Sequence, residues 1–252
     1  MLNDIIYYLY LLVYERIKGQ FSNRSYINIL EQIKIVGPDS VSIVIITACF
    51  IGMVFTIQIV KEFLYINTVS LIGSILTIAF IRELSPVLTS VIIVGRVASY
   101  FTSELATMSV TEQLNALYLL DTNPLIYLVI PRVIACIFML PCLNIFAFIT
   151  SLFSSSFICF TIYNIYPDVF FISSLSSLMI QDILKSLFKT FIFGLIISLI
   201  SCFWGLQATG GAKGVGQSTT LSVVTCLLAV FIFDFLLSYV MFNKLESSIQ
   251  NL

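Results

Sequence analysis

The sequence predicts an all-α integral membrane protein with an N-terminal interfacial helix, five transmembrane helices, and an amphipathic helix outside the bilayer core between spans two and three. Three observations carry this expectation. Only 10% of the 252 residues are charged and 59% are hydrophobic, with a mean hydropathy of +1.07, whereas a soluble domain carries about 25% charged residues. The apolar residues fall into long runs divided by short breaks rich in Gly, Pro, Asn and Asp. Crossing ~30 Å of hydrocarbon takes about 20 helical residues, and these runs reach that length. The break after the second run is too polar to span, yet its apolar positions recur at helical spacing.

Composition also removes function classes. The net charge of −1 gives no electrostatic footprint for nucleic acid, and no nucleic-acid partner is expected. Histidine is absent, which takes away the commonest general base and the commonest metal ligand. Cys49, Cys136, Cys142, Cys159, Cys202 and Cys226 are scattered through apolar runs without a C-x-x-C pair and read as small hydrophobes. The chain opens Met1-Leu2-Asn3-Asp4, with Arg16 and Lys18 after the first apolar run. That is the reverse of a secretory signal, so synthesis in the compartment where it works or insertion through its own spans is expected.

Ile5 to Tyr14 is apolar and tyrosine-rich but too short to cross, so residues 1–35 are expected to lie along the membrane surface. Gly37-Pro38-Asp39 breaks the chain, and Asp39 or Ser40 is suited to cap the next helix. Val41 to Val60 is uncharged and forms span one, ended by Lys61 and Glu62.

Span two starts near Thr68 and runs to about Tyr100 through Arg82-Glu83 and Pro86. Charges at membrane depth mark functional sites by default. Adjacent residues on a helix point about 100° apart, so Arg82 and Glu83 cannot pair face to face and need partners elsewhere. Pro86 removes a backbone hydrogen bond and predicts a kink.

Gly95-Arg96 begins the exit, and the amphipathic helix is expected over 101–120. There Ser109-x-x-Glu112 fits a capping box, and Val110, Leu114 and Leu117 share a face. Asp121-Thr122-Asn123-Pro124 stops it. Either an interfacial connector or a docking surface fits this periodicity.

Pro131-Arg132 opens span three, followed by a serine-rich exit from Ser151 to Tyr166. Asp168, Asp182, Lys185 and Lys189 bracket a polar stretch on the far side. Span four covers about Leu187 to Leu206. The glycine-rich loop at 209–216 follows, then span five from about Ser218 to Phe242, interrupted by Asp234. Asp234 is placed either to answer Arg82 or to mark the membrane exit. Arg16, Lys18, Arg24, Lys34, Arg96, Arg132 and Lys213 fall on one side, against Lys61, Lys185, Lys189 and Lys244 on the other. This bias predicts a cytoplasmic or stromal N-terminus.

No glycine precedes a lysine, which excludes a GxxxxGK[ST] phosphate loop. Gly214-Val-Gly216 lacks the third glycine of a dinucleotide fingerprint and no strand precedes it. Close backbone packing explains these glycines better. The carboxylates are dispersed, and no serine lies in a G-x-S-x-G setting. No catalytic residue, metal site or bound cofactor is expected.

RELSPVLTSVIIVGR (82–96), SELATMSVTEQLNALYLLDTNPLIYLVIPR (103–132) and GVGQSTTLSVV (214–224) with Asp234 resemble the MlaE family, the permeases of ABC-type lipid transporters that work with MCE-domain proteins. Ser85 and Ala106 stand where that family usually has glycine, and Asn115 and Asn123 where acids are common. The resemblance implies one permease domain over 1–252, divided into 1–35, spans one and two at 41–100, a cytoplasmic coupling helix at 101–120, and spans three to five at 125–246. It implies a homodimer moving glycerolipids, with ATP and Mg used by a separate ABC ATPase subunit and an MCE-domain lipid-binding protein as further partner. Arg82, Glu83, Pro86 and Asp234 become candidates for the lipid path. Arg96, Glu104, Met108, Thr111, Glu112 and Asn115 become candidates for ATPase coupling.

Abundant Ile, Phe, Ser and Asn suggest a plastid inner envelope location, with a bacterial inner membrane as the alternative. A non-transporting assembly scaffold and an ion-coupled secondary carrier are the competing functions. Five spans without an internal repeat disfavour the carrier.

Overall fold

Uninterrupted apolar runs satisfy their backbone polar groups internally by forming helices, the only economical solution in lipid apart from a closed barrel. The computed structural model describes residues 23–66, 68, 71–120 and 123–242, and among these the regular structure is helical throughout. Of the interfacial reading of residues 1–35, residues 1–22 lie outside the described residues, as does the tail beyond 242.

The helices are α1 (Asn23–Val36), α2 (Pro38–Tyr65), α3 (Ile72–Ala79), α4 (Ser85–Ile93), α5 (Ser99–Val110), α6 (Gln113–Leu119), α7 (Ile130–Tyr163), α8 (Pro167–Ser177), α9 (Ile180–Leu206) and α10 (Gly211–Phe242). Three wider π-turns, Phe80–Leu84, Val94–Ala98 and Leu125–Val129, join α3 to α4, join α4 to α5, and precede α7. Five continuous helical segments are long and apolar enough to cross a membrane: 28–65, 72–110, 125–163, 180–206 and 211–241. The protein is an all-α integral membrane protein.

Several boundaries differ from expectation. Helix α2 starts on Pro38, whose fixed φ and missing N–H suit a first helical position, and not under an Asp39 or Ser40 cap. Span two continues to Val110. The helix expected over 101–120 is therefore two helices, divided at Thr111-Glu112, where Glu112 adopts a left-handed φ of 62°. The capping box does not form, because Ser109 Oγ instead donates to the carbonyls of Leu206 and Ala208 at 3.4 and 3.1 Å. The Ser151 to Tyr166 stretch expected as an exit is helical as far as Tyr163, within α7, and Ser151, Ser154 and Ser155 are buried. Helix α9 starts at Ile180, so Asp182, Lys185 and Lys189 are helical.

The chain divides into two compact units. The first comprises residues 1–40, 90–140 and 191–232. Its core holds Leu105, Val129, Val133, Leu199 and Cys202. Close backbone approach replaces large side chains at two points. A Cβ on Gly194 would lie 2.8 Å from the Cys136 carbonyl oxygen, and one on Gly205 would lie 2.7 Å from Leu105 Cβ. Thr102 Oγ1 bonds the Ala98 and Ser201 carbonyls and Ser222 Oγ, at 2.8, 3.0 and 2.7 Å.

The second unit comprises residues 41–89, 141–190 and 233–252. Its core gathers Val60, Ile72, Leu76, Phe80, Cys159, Ile165 and Phe170. Ser74 Oγ donates to the Ser173 carbonyl at 2.9 Å. Buried hydroxyls such as Thr56 and Thr77 return their protons to the carbonyl one turn back, at 2.7 Å each, which is how polar residues are tolerated in these spans.

Candidate functional site

The buried charges of the second unit meet around the π-turn Phe80–Leu84. This turn begins with the Ser85 N–H reaching back to the Phe80 carbonyl, one residue further than in an α-helix, a geometry frequent at functional sites. Pro86 has no N–H to offer the carbonyl four residues back. That carbonyl belongs to Arg82, and Lys189 Nζ donates to it at 3.2 Å. The proline expected as a kink thus helps create an acceptor that a buried ammonium occupies.

Lys189 is the centre of the site. Its side chain is 0% exposed. It faces Asp234 Oδ1 at 2.6 Å, Glu83 Oε2 at 2.8 Å and Ser238 Oγ at 2.8 Å. An ammonium has three N–H groups, and the Arg82 carbonyl, Glu83 Oε2 and Ser238 Oγ take them, with Asp234 as a further ion-pair partner. Ser238 Oγ in turn donates to Glu83 Oε1 at 2.8 Å, so both Glu83 oxygens are held although its side chain remains 45% exposed.

Arg82 points elsewhere and pairs with Asp182 at 2.9 Å. The Asp182 side chain is only 4% exposed. Beside this pair, Ser85 Oγ bonds Asn144 Oδ1, and Asn144 Nδ2 donates to Ser186 Oγ at 2.9 Å. Two cations and three carboxylates are therefore fixed within helices that are otherwise hydrocarbon. A buried ion pair of this kind contributes little net stability, because desolvation offsets the attraction. Its effect is to pin α9, α10 and the π-turn in one arrangement and to present one half-exposed carboxylate, Glu83.

The structure gathers Arg82, Glu83, Pro86 and Asp234, the four lipid-path candidates, around one π-turn and corrects two roles. Asp234 answers Lys189, not Arg82, from within α10, which continues to Phe242. Lys189, expected only as one of the far-side charges, is the hub of the cluster. Asp182 and Lys189 were missed as site residues. The available signal was that Lys189 already fell inside the run expected as span four.

The coupling candidates fall into three places. Glu104 pairs with Arg132 at 2.7 Å. Arg132 is 2% exposed, lies 5.2 Å from the Phe101 ring centroid and donates to the Phe101 carbonyl at 3.4 Å. Glu104 and Met108 also line an open groove of about 370 Å³ with Tyr100, Ser103, Thr107 and Gln113. Thr111 and Glu112 form the exposed turn, where Asn115 Nδ2 donates to Glu112 Oε2 at 2.7 Å. Arg96 belongs to neither place. It lies in the π-turn Val94–Ala98, fifteen residues before Thr111, or about 22 Å along a helix.

Among the described residues no group of three or more His, Cys, Asp or Glu is arranged to hold a metal ion.

The sequence model of Permease MlaE matches residues 29–240. The chain is 56% identical over 222 residues to the probable ABC transporter permease protein ycf63 of Pyropia yezoensis, covering 88% of this chain and 84% of that protein. It is 50% identical over 227 residues to the probable ABC transporter permease protein slr1045 of Synechocystis, covering 90% and 85%. With the Arabidopsis thaliana chloroplastic protein trigalactosyldiacylglycerol 1 it shares 42% identity over 224 residues, covering 89% and 64%. With the match extending over most of its length, including every charge of the buried cluster, this chain belongs to the MlaE permease family.

Proposed function

We propose that this chain is the membrane subunit of an ATP-driven ABC transporter that moves glycerolipids across or between membranes. The observation that carries the reading is the buried cluster around Lys189. Fixed charges inside membrane-spanning helices, with Glu83 left partly exposed, suit a path for molecules that join a polar head to apolar chains. The names of the relatives, probable ABC transporter permeases and a chloroplastic protein named for a galactolipid, support this cargo class.

The chain works as a homodimer with an ABC ATPase subunit, which binds ATP and Mg, and with an MCE-domain lipid-binding protein. The groove beside Met108 and the Thr111-Glu112 turn form the ATPase contact. A plastid inner envelope membrane is the expected location. The test is reconstitution of the chain with its co-purified ATPase in liposomes, following a fluorescent glycerolipid. Movement that requires ATP and is lost in Lys189→Met supports the proposal. Lipid movement independent of nucleotide, or none under any condition, refutes it.

A further inference from the structure

Among the described residues Arg96 holds no carboxylate. Its Nη1 is buried and meets no hydrogen-bond acceptor, while Arg82, Arg132 and Lys189 each hold a carboxylate. A guanidinium left so in a membrane-spanning helix is costly unless an anion from outside the chain completes it.

The local structure leaves room for that anion. Arg96 lies in a π-turn, and its neighbour Gly95 is exposed, where a Cβ would meet nothing within 4 Å beyond its chain neighbours and its own helix backbone. The Ser99 hydroxyl is directed at the Gly95 and Arg96 carbonyls, at 2.6 and 3.0 Å, so the widened turn keeps its backbone satisfied. One turn further on, Tyr100 is exposed, a residue type favoured at headgroup level. Beyond it Ser103 and Thr107 continue the outward face, whereas before Gly95 the run from Val87 is free of charge. Arg96 therefore marks the level at which hydrocarbon gives way to headgroups.

Among the described residues, the carboxylates are engaged or stand elsewhere along the helices. In the described spans Glu83, Asp182, Asp234 and Glu104 already hold cations. Glu31, Asp39, Glu62, Glu112 and Asp168 lie on α1, at helix ends or in the Glu112 turn. An anion native to that depth is a lipid phosphate, whose oxygens match the planar donor fork of arginine. We propose that Arg96 binds the phosphate of an anionic glycerolipid at headgroup level, a subsite separate from the Lys189 cluster. The inference rests on the lipid-permease reading.

The test uses the full chain with its accompanying subunits in nanodiscs of equal parts phosphatidylcholine and phosphatidic acid. Lipids retained after mild delipidation are counted by native mass spectrometry. The wild type is expected to retain phosphatidic acid preferentially. Arg96→Gln should lower that preference by about tenfold, the scale of one charge-assisted contact, and Arg96→Lys should keep most of it. The Lys variant also controls for folding, together with an unchanged elution volume and unchanged Trp204 fluorescence. Equal preference in Arg96→Gln overturns the inference. So does dissociation of a dimer with the lipid ratio unchanged, which would give Arg96 to a copy contact. Inorganic phosphate added to the wild type distinguishes the source, and displacement of the lipid by it would assign the site to the free anion and overturn the lipid assignment. ATP-dependent lipid movement is followed on the same preparations. Transport with no Arg96-dependent preference removes this inference alone, and an Arg96-dependent preference without ATP-dependent transport removes the permease reading instead.

Discussion

Replacing Lys189 by methionine removes the cation of the buried cluster while keeping most of its volume. At 2.8 and 2.6 Å, the contacts to Glu83 and Asp234 each amount to about 6 kcal/mol of Coulomb attraction at an effective dielectric of ~20. Desolvation of the ammonium offsets most of that gain. The Glu83 share is reduced further, because a side chain 45% exposed is screened by solvent. What remains is the cost of stranding Asp234 and the Arg82 carbonyl without their donor. Breaking one partner of a buried pair costs about 3–5 kcal/mol, and the hydration open to Glu83 favours the lower end. For a chain of this size about 3 kcal/mol lowers the Tm by about 6–12 °C.

The single tryptophan, Trp204, whose indole N–H donates to Thr225 Oγ1 at 2.9 Å, reports unfolding by fluorescence in nanodiscs. A second variant separates stability from function: Lys189→Met combined with Glu83→Gln and Asp234→Asn leaves no stranded charge. It should recover most of the lost Tm and still fail to move lipid. Full transport by this neutral variant would refute the functional reading and leave the cluster as packing. A Tm of Lys189→Met within about 2 °C of the wild type would refute the energetic one.

Three further outcomes follow from the same geometry. Arg132→Gln leaves Glu104 without its guanidinium and removes the contact with the Phe101 ring; a loss of about 2 kcal/mol is expected, read as a lower Tm, and an unchanged Tm would show the pair to be dispensable. Gly194→Val drives a side chain into the Cys136 backbone and should cost about 1–3 kcal/mol, whereas Gly95→Ala meets nothing and should leave the Tm at or slightly above that of the wild type; equal losses at the two positions would contradict the packing described. Glu112→Lys reverses the charge of the exposed turn, so the ATPase should no longer co-purify while the Tm stays unchanged; an intact complex with full ATP-dependent transport would place the contact elsewhere.

The membrane class, the five spans and the need of Arg82 and Glu83 for distant partners were decided by the sequence alone. A run of about 20 apolar residues has few options in lipid but a helix, and a charge inside such a run stands out without any knowledge of its partner. The adjacency of Arg82 and Glu83 was enough to show that they could not satisfy each other. The partners themselves required the tertiary structure, since Asp182 lies 100 residues from Arg82, and Lys189 lies 106 from Glu83. No periodicity carries information over that separation. The same limit misplaced Asp234, because two cations were available to it and only packing chose Lys189. The break at Glu112 was equally hidden: Ser109-x-x-Glu112 is a sound local signal for a helix start, but the serine hydroxyl found better acceptors in the Leu206 and Ala208 carbonyls. Local propensity names the elements, and side-chain contacts between distant segments decide which charge meets which.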